Sequence, residues 1–478
     1  MRKLLSVIFM TIICASMLAQ DEFYATGLLP DDGRYDQLPR KAELVTRDYT
    51  ALPSKYSLMK YCPEAKSQSL YGTCTSWATS YAARTIAEAV KWGWTDKNKI
   101  TREAFSPLFV YAQIKDRSDS DCQKGTHISD ALNLMKNMGV SKFSTFDALC
   151  ASYVNPTLLE AASHYKIDDY FTLFSITFTD GNAKVKKVKK SLSEDCPVVI
   201  AMWIPSSFHQ AKSAWNGLDV DTRKRGYHAM CVVGYDDTMN GGSFQIMNSW
   251  GSNWGENGFV WVKYSDFAKY VDQAYEIYVK KYRYPEPKPE PKPTPKPEPK
   301  PIQLNDLSGE IALQLSTGEN MVPLLDKING VYNIADEYIS GTRYRIYLSN
   351  NEPAYVYVIG SDLENNVSKV FPPTDNISAA LTYKSNHIAI PDETYYVEMD
   401  NTTGKDYMCV LYSKNALNIN DIVSKIKSAN GSFSEKVKVS ISGLTAAASD
   451  ISYAENRISF KAKTEKTVVP IIVEIKHK

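Results

Sequence analysis

Gln68-Ser69-Leu70-Tyr71-Gly72-Thr73-Cys74-Thr75-Ser76-Trp77-Ala78 is the stretch on which the reading of this chain turns. Beyond it, Trp77, Ala78, Tyr81, Ala82, Ile86, Ala89 and Val90 recur three and four residues apart, the period of a buried helix that starts near Cys74 and runs to about Trp92. A cysteine in the first turn of a helix meets unpaired backbone N–H groups and the positive end of the helix dipole, and both favour thiolate over thiol. Gln68, upstream on a glycine-containing loop, is placed to fold back so that its side-chain amide and the Cys74 N–H point at one spot. That is the outline of an oxyanion hole.

A nucleophilic thiolate needs a base to partner it and a group to orient that base. Gly226-Tyr227-His228-Ala229-Met230-Cys231-Val232-Val233-Gly234-Tyr235 reads as a strand carrying one histidine. Asn248-Ser249-Trp250-Gly251-Ser252-Asn253-Trp254-Gly255-Glu256-Asn257-Gly258-Phe259 follows it. His228 is the candidate acid and base: as imidazolium it holds the thiolate, and later it gives a proton to the leaving amine. Asn248 is the candidate orienter, accepting from the other ring nitrogen, and Trp250 is expected to cover that contact from water.

Together these motifs resemble the papain family of cysteine peptidases, whose nucleophile, histidine and asparagine come in this chain order. The resemblance covers about residues 50 to 280. It rests on the glutamine and cysteine of Gln68 to Cys74, the G-Y-H-A strand, and N-S-W-G-x-x-W-G-x-x-G-F from Asn248. It implies Cys74 as nucleophile, His228 as acid and base, Asn248 as orienter and Gln68 as oxyanion donor, with no metal or cofactor. It further implies that Gly125 approaches the backbone of a bound peptide and that Ala201 and Ala229 line the pocket for the substrate's second side chain. A disulfide between Cys122 and Cys150 and a domain start near Leu52-Pro53 are implied in the same way. Tyr71-Gly72-Thr73-Cys74-Thr75 stands where eukaryotic members carry C-G-S-C-W, a departure that bacterial branches tolerate. Relatives often carry a helical inhibitory prosegment about three times the length of residues 20–49, and none is legible here. Either activity is held back by something else, or the short segment lies across the cleft as a strap.

The 478 residues carry a net charge of +1, with 44% hydrophobic and 12% aromatic residues, ordinary for globular structure and long enough for two or three domains. So small a charge sets up no long-range field to recruit nucleic acid or an anionic membrane and leaves polar and nonpolar substrates alike open; a polypeptide substrate is what the resemblance implies. Met1-Arg2-Lys3, the apolar run from Leu4 to Leu18 and Ala19-Gln20-Asp21 have the three parts of a secretory leader, residues 1–19. The expectation is export to the periplasm, cell surface or extracellular space. Ile13 is bulky where lipid attachment at Cys14 would want a small residue, and no other segment approaches the ~18 apolar residues of a membrane span. Cys196 and Cys231 lie in apolar runs and read as buried thiols. No pair of Cys or His has the short spacing of a zinc site.

Along the chain, Thr101 to Ile114 reads as a helix, as does the stretch through Ala131, Leu132, Leu134 and Met135 up to Gly139. The lysine-rich run from Lys184 to Lys190 carries valines three apart and reads as a solvated helix face. Pro197 to Trp203 is a continuous apolar strand. From Tyr284 to Pro301, proline at every second position favours an extended polyproline II spacer of about 3.1 Å per residue. Beyond it come short β-rich runs: Tyr344 to Leu348, Tyr355 to Ile359, Tyr395 to Met399, Tyr407 to Tyr412, Val437 to Ile441 and Ile471 to Ile475, with one helix from Asn420 to Ser428. Through Tyr355 to Asp362, Phe371-Pro372-Pro373 and Ile390-Pro391 this part resembles a bacterial domain of unknown function.

The expected fold is α+β: a two-lobed papain-like peptidase with a helical left lobe and a β-barrel right lobe, then a Pro-rich linker and an all-β sandwich-like domain. The expected divisions are 1–19, 20–49, 50–283, 284–301 and 302–478. The expected function is an exported cysteine endopeptidase with a C-terminal targeting or binding domain whose partner is not legible. Two alternatives stay open: a non-catalytic papain-fold scaffold of the cell envelope, and a transpeptidase that passes the same thioester to an amine.

Overall fold

The helix that begins at Cys74 runs through the centre of the first lobe, and every side chain from Cys74 to Ile86 is buried. It is α-helical over Cys74–Ser76, widens to a π-helix over Trp77–Arg84 and returns to α over Thr85–Trp92, ending at Gly93 in the left-handed conformation. Hydroxyl groups inside it bond back to its own carbonyls, Thr79 Oγ1 to Thr75 O at 2.8 Å and Thr85 Oγ1 to Ser80 O at 3.3 Å, a pattern that loosens the regular ladder. Its one buried charge pair is Arg84–Glu88 at 2.7 Å, with Trp92 Nε1 donating to Glu88 at 2.9 Å and Phe105 under the guanidinium. This computed structural model describes residues 24–42, 52–215, 217, 226–280, 304–362, 366–382, 386–391 and 395–478. The expected leader (1–19) and spacer (284–301) lie outside the described residues.

The single helix expected over 101–114 is two, Lys97–Arg102 and Pro107–Ile114. Pro107 disfavours helical backbone at Ser106, whose hydroxyl instead caps the second helix by accepting from Phe109 N–H at 3.0 Å. Ile128–Asn137 follows. The second lobe is an eight-stranded sheet in the order Asp169–Thr172, Val271–Tyr278, Val198–Ile204, Gly226–Asp236, Ser243–Met247, Phe259–Lys263 and Ala214–Trp215, with Lys55–Ser57 also on Gly226–Asp236. Val198–Ile204 and Gly226–Asp236 read as continuous apolar runs because almost all of their side chains are buried. The lysine-rich helix, Gly181–Ser193, turns Val188 and Leu192 inward; Lys184 departs from a solvated face, its ammonium buried and donating to Val271 O at 3.0 Å. Cys122 and Cys150 form a disulfide; Cys62, Cys74, Cys231 and Cys409 are free and buried, and Cys196 is buried.

Past residue 304 two sheets face each other. One runs Pro323–Asp326, Val331–Tyr338, Val468–His477, Gly404–Ser413, Ala354–Ser361, Ser368–Phe371; the other Asn386–Ile390, Arg343–Asn350, Asn305–Leu315, Ile458–Thr464, Ile451–Tyr453. Leu307, Ile311, Leu313, Ile346 and Leu348 from one meet Val356, Val358, Val410, Val473 and Ile475 from the other in a common core. Tyr395 to Met399 contributes only Val397–Glu398. Val437 to Ile441 is not a strand: it lies in and just beyond the helix Phe433–Ser440, started by a reciprocal Ser432–Glu435 capping box. There Val437 is fully buried and Val439 is 65% exposed, so the apparent two-residue alternation does not match burial. The expected helix is present as Ile419–Ser428.

Burial pushes the Glu88 carboxyl up, but Arg84 beside it outweighs this and holds it at about 2. Its stabilising contribution is therefore in full force above an unfolded value of about 4.3 and is lost as pH falls through about 2. Glu88→Ala leaves Arg84 buried and alone and is expected to cost about 3–5 kcal/mol in chemical denaturation at pH 7; a loss below 1 kcal/mol would mean that Arg84 finds water.

Candidate active site

Three elements converge where the two lobes meet. The first turn of the long helix carries Cys74, fully buried. The strand Gly226–Asp236 carries His228, also fully buried, and the turn after Ser243–Met247 carries Asn248. His228 Nε2 lies 2.8 Å from Asn248 Oδ1, which also accepts from Ser249 N–H at 2.7 Å. That second bond fixes the amide with its oxygen toward the ring, so Nε2 is the donor and Nδ1 holds the lone pair. Nδ1 has no hydrogen-bond partner among the described residues. Trp250 lies flat on the imidazole, centroids 4.7 Å apart, as expected of a cover.

Gln68 is held from both ends. Its Oε1 accepts from Ser249 Oγ at 2.6 Å, and its Nε2 donates to Tyr71 O at 2.7 Å. The same nitrogen also meets Ala25 O at 3.2 Å, so one N–H sets the amide and the other is presented to a carbonyl in the cleft. Ser249, which positions both Gln68 and Asn248, was inside the N-S-W-G run but escaped notice because its hydroxyl acts through other side chains.

The cleft is not open. Tyr24 stacks on Trp250 at 4.9 Å, and Ala25 O accepts from the Trp250 indole N–H at 3.0 Å. The Gly27 backbone lies near the Cys74 sulfur and favours its thiolate. Gly27 O accepts from Thr126 N–H at 2.9 Å, Leu29 N–H donates to Thr126 O at 3.0 Å, and Leu28 N–H to Tyr227 O at 3.4 Å. A side chain on Gly27 would fall 2.0 Å from Gly72 O, and one on Gly125 would fall 2.2 Å from Gly27 O. Gly125, with φ of 79°, thus lies against a peptide backbone, while Thr126 makes the pairing. Ala201 and Ala229 are directly opposite in the sheet and fully buried, so their methyl groups share one face.

The expected thiolate–imidazolium pair is not formed in this covered state. Burial pushes the Cys74 thiol up to about 11, although the backbones of Ala229 and Gly27 and both the hydroxyl and the backbone of Thr75 favour the anion. Burial likewise lowers His228 to about 4 against the support of Asn248. The partial charge of a helix terminus does not offset complete removal from water, so both groups are neutral near pH 7. Among the described residues no cluster of His, Cys, Asp or Glu could hold a metal ion, and no helix is long and apolar enough to cross a membrane.

Residues 59–278 match the papain family cysteine proteases, and residues 337–416 match a domain of unknown function, DUF4384. An uncharacterized peptidase C1-like protein of Acanthamoeba polyphaga mimivirus is 27% identical over 217 residues, 43% of this chain and 64% of that protein, so the match spans less than two thirds of that relative. Cysteine proteinase 3 of Entamoeba histolytica is 26% identical over 246 residues, 51% of this chain and 71% of that one. Among solved structures, xylellain, a cysteine protease from Xylella fastidiosa, matches with 23% identity and a TM-score of 0.44, covering 54% of this chain and 96% of its own. The lobes that gather Cys74, His228 and Asn248 thus fall in the part of the chain that matches the papain family cysteine proteases, and the match to DUF4384 falls in the C-terminal sandwich.

Proposed function

We propose that the chain is a cysteine endopeptidase that hydrolyses peptide bonds through a thioester on Cys74. The observation that supports this best is the His228–Asn248 bond of 2.8 Å, which leaves Nδ1 as an unpartnered acceptor. The Cys74 sulfur lies against the backbone of Ala229, the residue next to that histidine. Once a substrate replaces residues 24–29, the Cys74 proton passes to His228 Nδ1 and the thiolate attacks the scissile carbonyl. The oxyanion takes the free N–H of the Gln68 amide and the Cys74 N–H. His228 then protonates the leaving amine as the C–N bond breaks. Water, deprotonated by the same nitrogen, attacks the thioester and releases the acid with the thiol restored. Gly125 and Thr126 border the peptide backbone, Trp250 borders the leaving side, and Ala201 with Ala229 form the floor of the pocket for the second side chain. None of these steps calls for a metal or cofactor.

In the same reading residues 1–19 direct export and are removed, residues 20–49 are a strap, 50–283 form the peptidase, 284–301 a spacer and 302–478 a β module. The enzyme works in the periplasm, at the cell surface or outside the cell on polypeptide substrates.

On unfolded protein as substrate, with the cleft cleared, Cys74→Ala is expected to abolish cleavage. Gln68→Ala is expected to lower kcat by about 10²–10³ with a small change in KM; an unchanged kcat would remove Gln68 from the oxyanion site. In the intact chain, alkylation of Cys74 by iodoacetamide is expected to be slow near neutral pH and to climb as pH is raised toward about 11. Chain freed of residues 24–42 should alkylate at lower pH, because rehydration lowers the thiol and raises His228. Equal pH profiles for the two forms would show that the segment does not set the ionisation.

A further inference from the structure

The segment that fills the cleft continues to a second anchor far from Cys74. After the short helix Asp32–Tyr35, whose Tyr35 is fully buried with its hydroxyl accepting from Ala274 N–H at 3.1 Å, the chain extends through Pro39 to Ala42. In extended backbone the N–H and C=O groups of successive residues point to opposite edges, so one segment can bond two neighbours. Here it does. Pro39 O accepts from Thr172 N–H at 3.0 Å and Lys41 N–H donates to Thr172 O at 2.9 Å, both on the peptidase. Arg40 N–H donates to Asn376 O at 2.6 Å and Arg40 O accepts from Ser378 N–H at 2.6 Å, both on the C-terminal domain. Lys41 Nζ reaches the fully buried Glu276 at 2.6 Å, and the Ala42 methyl packs in the core of the C-terminal sandwich.

The two domains also touch directly beside this rung. Phe171 and Tyr278 of the peptidase share an apolar cluster with Tyr355, Tyr357, Ile359 and Leu411, and Tyr355 donates to Asp169 at 3.3 Å. The slot between Thr172 and Asn376–Ser378 is therefore lined by backbone from both domains, and neither alone supplies both edges.

We propose that the Asn376–Ser378 edge of the C-terminal domain is a docking surface for residues 39–42 of the same chain, and that by holding them it keeps residues 24–29 seated over Cys74. The domain is then a latency clamp, and a partner that takes this edge opens the peptidase. The argument rests on the reading of Cys74 as nucleophile, but its central claim, that the domain controls access to the sulfur, is read without turnover.

The test compares full-length variants by the rate of Cys74 alkylation with iodoacetamide at pH 7.5 and, separately, by cleavage of unfolded protein. Arg40→Pro deletes one clamp bond from the strap side without touching the C-terminal domain, and Ser378→Pro deletes the other from the domain side. Each is expected to raise the alkylation rate on the order of fivefold, the effect of one backbone hydrogen bond on the open population. Gly27→Ala, which drives a methyl group into Gly72 O, unseats the strap directly and is the reference for an uncovered cleft. If Gly27→Ala alkylates quickly while Arg40→Pro alkylates at the wild-type rate, the clamp is overturned, whatever the folding of Ser378→Pro. If the two clamp variants alkylate faster but no variant cleaves protein, the clamp stands and the peptidase reading fails.

Discussion

A sulfur atom sealed from water is a poor place for negative charge, and the arrangement around Cys74 follows from that constraint. The helix terminus and several backbone donors all favour the anion, yet complete burial keeps the thiol protonated at about 11 and the His228 imidazole neutral at about 4. Residues 24–29 are part of the cover that keeps the pair from water. The orienting bonds do not depend on that cover: Ser249 holds Gln68, and Asn248 holds His228, in the geometry the proposed chemistry needs.

The same economy of contacts links the site to the far domain. Glycine at 27, 72 and 125 lets three backbones approach within distances that any side chain would block, and this close approach brings the strap against the sulfur. At its other end the strap is fixed through main-chain groups of Pro39, Arg40 and Lys41, together with the Lys41–Glu276 ion pair and the Ala42 methyl. Both ends are therefore intolerant of backbone change, and the Gly27 end is intolerant of added side-chain bulk as well.

How much of this was legible in the sequence follows from where the information lies. The Cys74 helix, the His228 strand and Asn248 stood out because chemistry and periodicity are carried by side chains. Pro107 and the Ser432–Glu435 capping box were equally visible, and giving them more weight would have split one helix and turned an assigned strand into another. The seat of residues 24–42 was not legible in detail, since its bonds are made by backbone atoms of Gly27, Leu29 and Arg40 and leave no periodic pattern. Thr126, beside the singled-out Gly125, was missed for the same reason. The covered thiol was missed because a helix dipole is readable from sequence and desolvation is not.

The Cys122–Cys150 disulfide and the buried Cys74 thiol share one molecule, and their coexistence has a chemical consequence. Surroundings oxidising enough to keep the first pair joined would convert an accessible thiolate to sulfenic acid or a mixed disulfide. Cys74, protonated and without contact with solvent, is shielded from peroxide. In the covered form the proposed nucleophile is thus withheld from oxidants in the surrounding solvent.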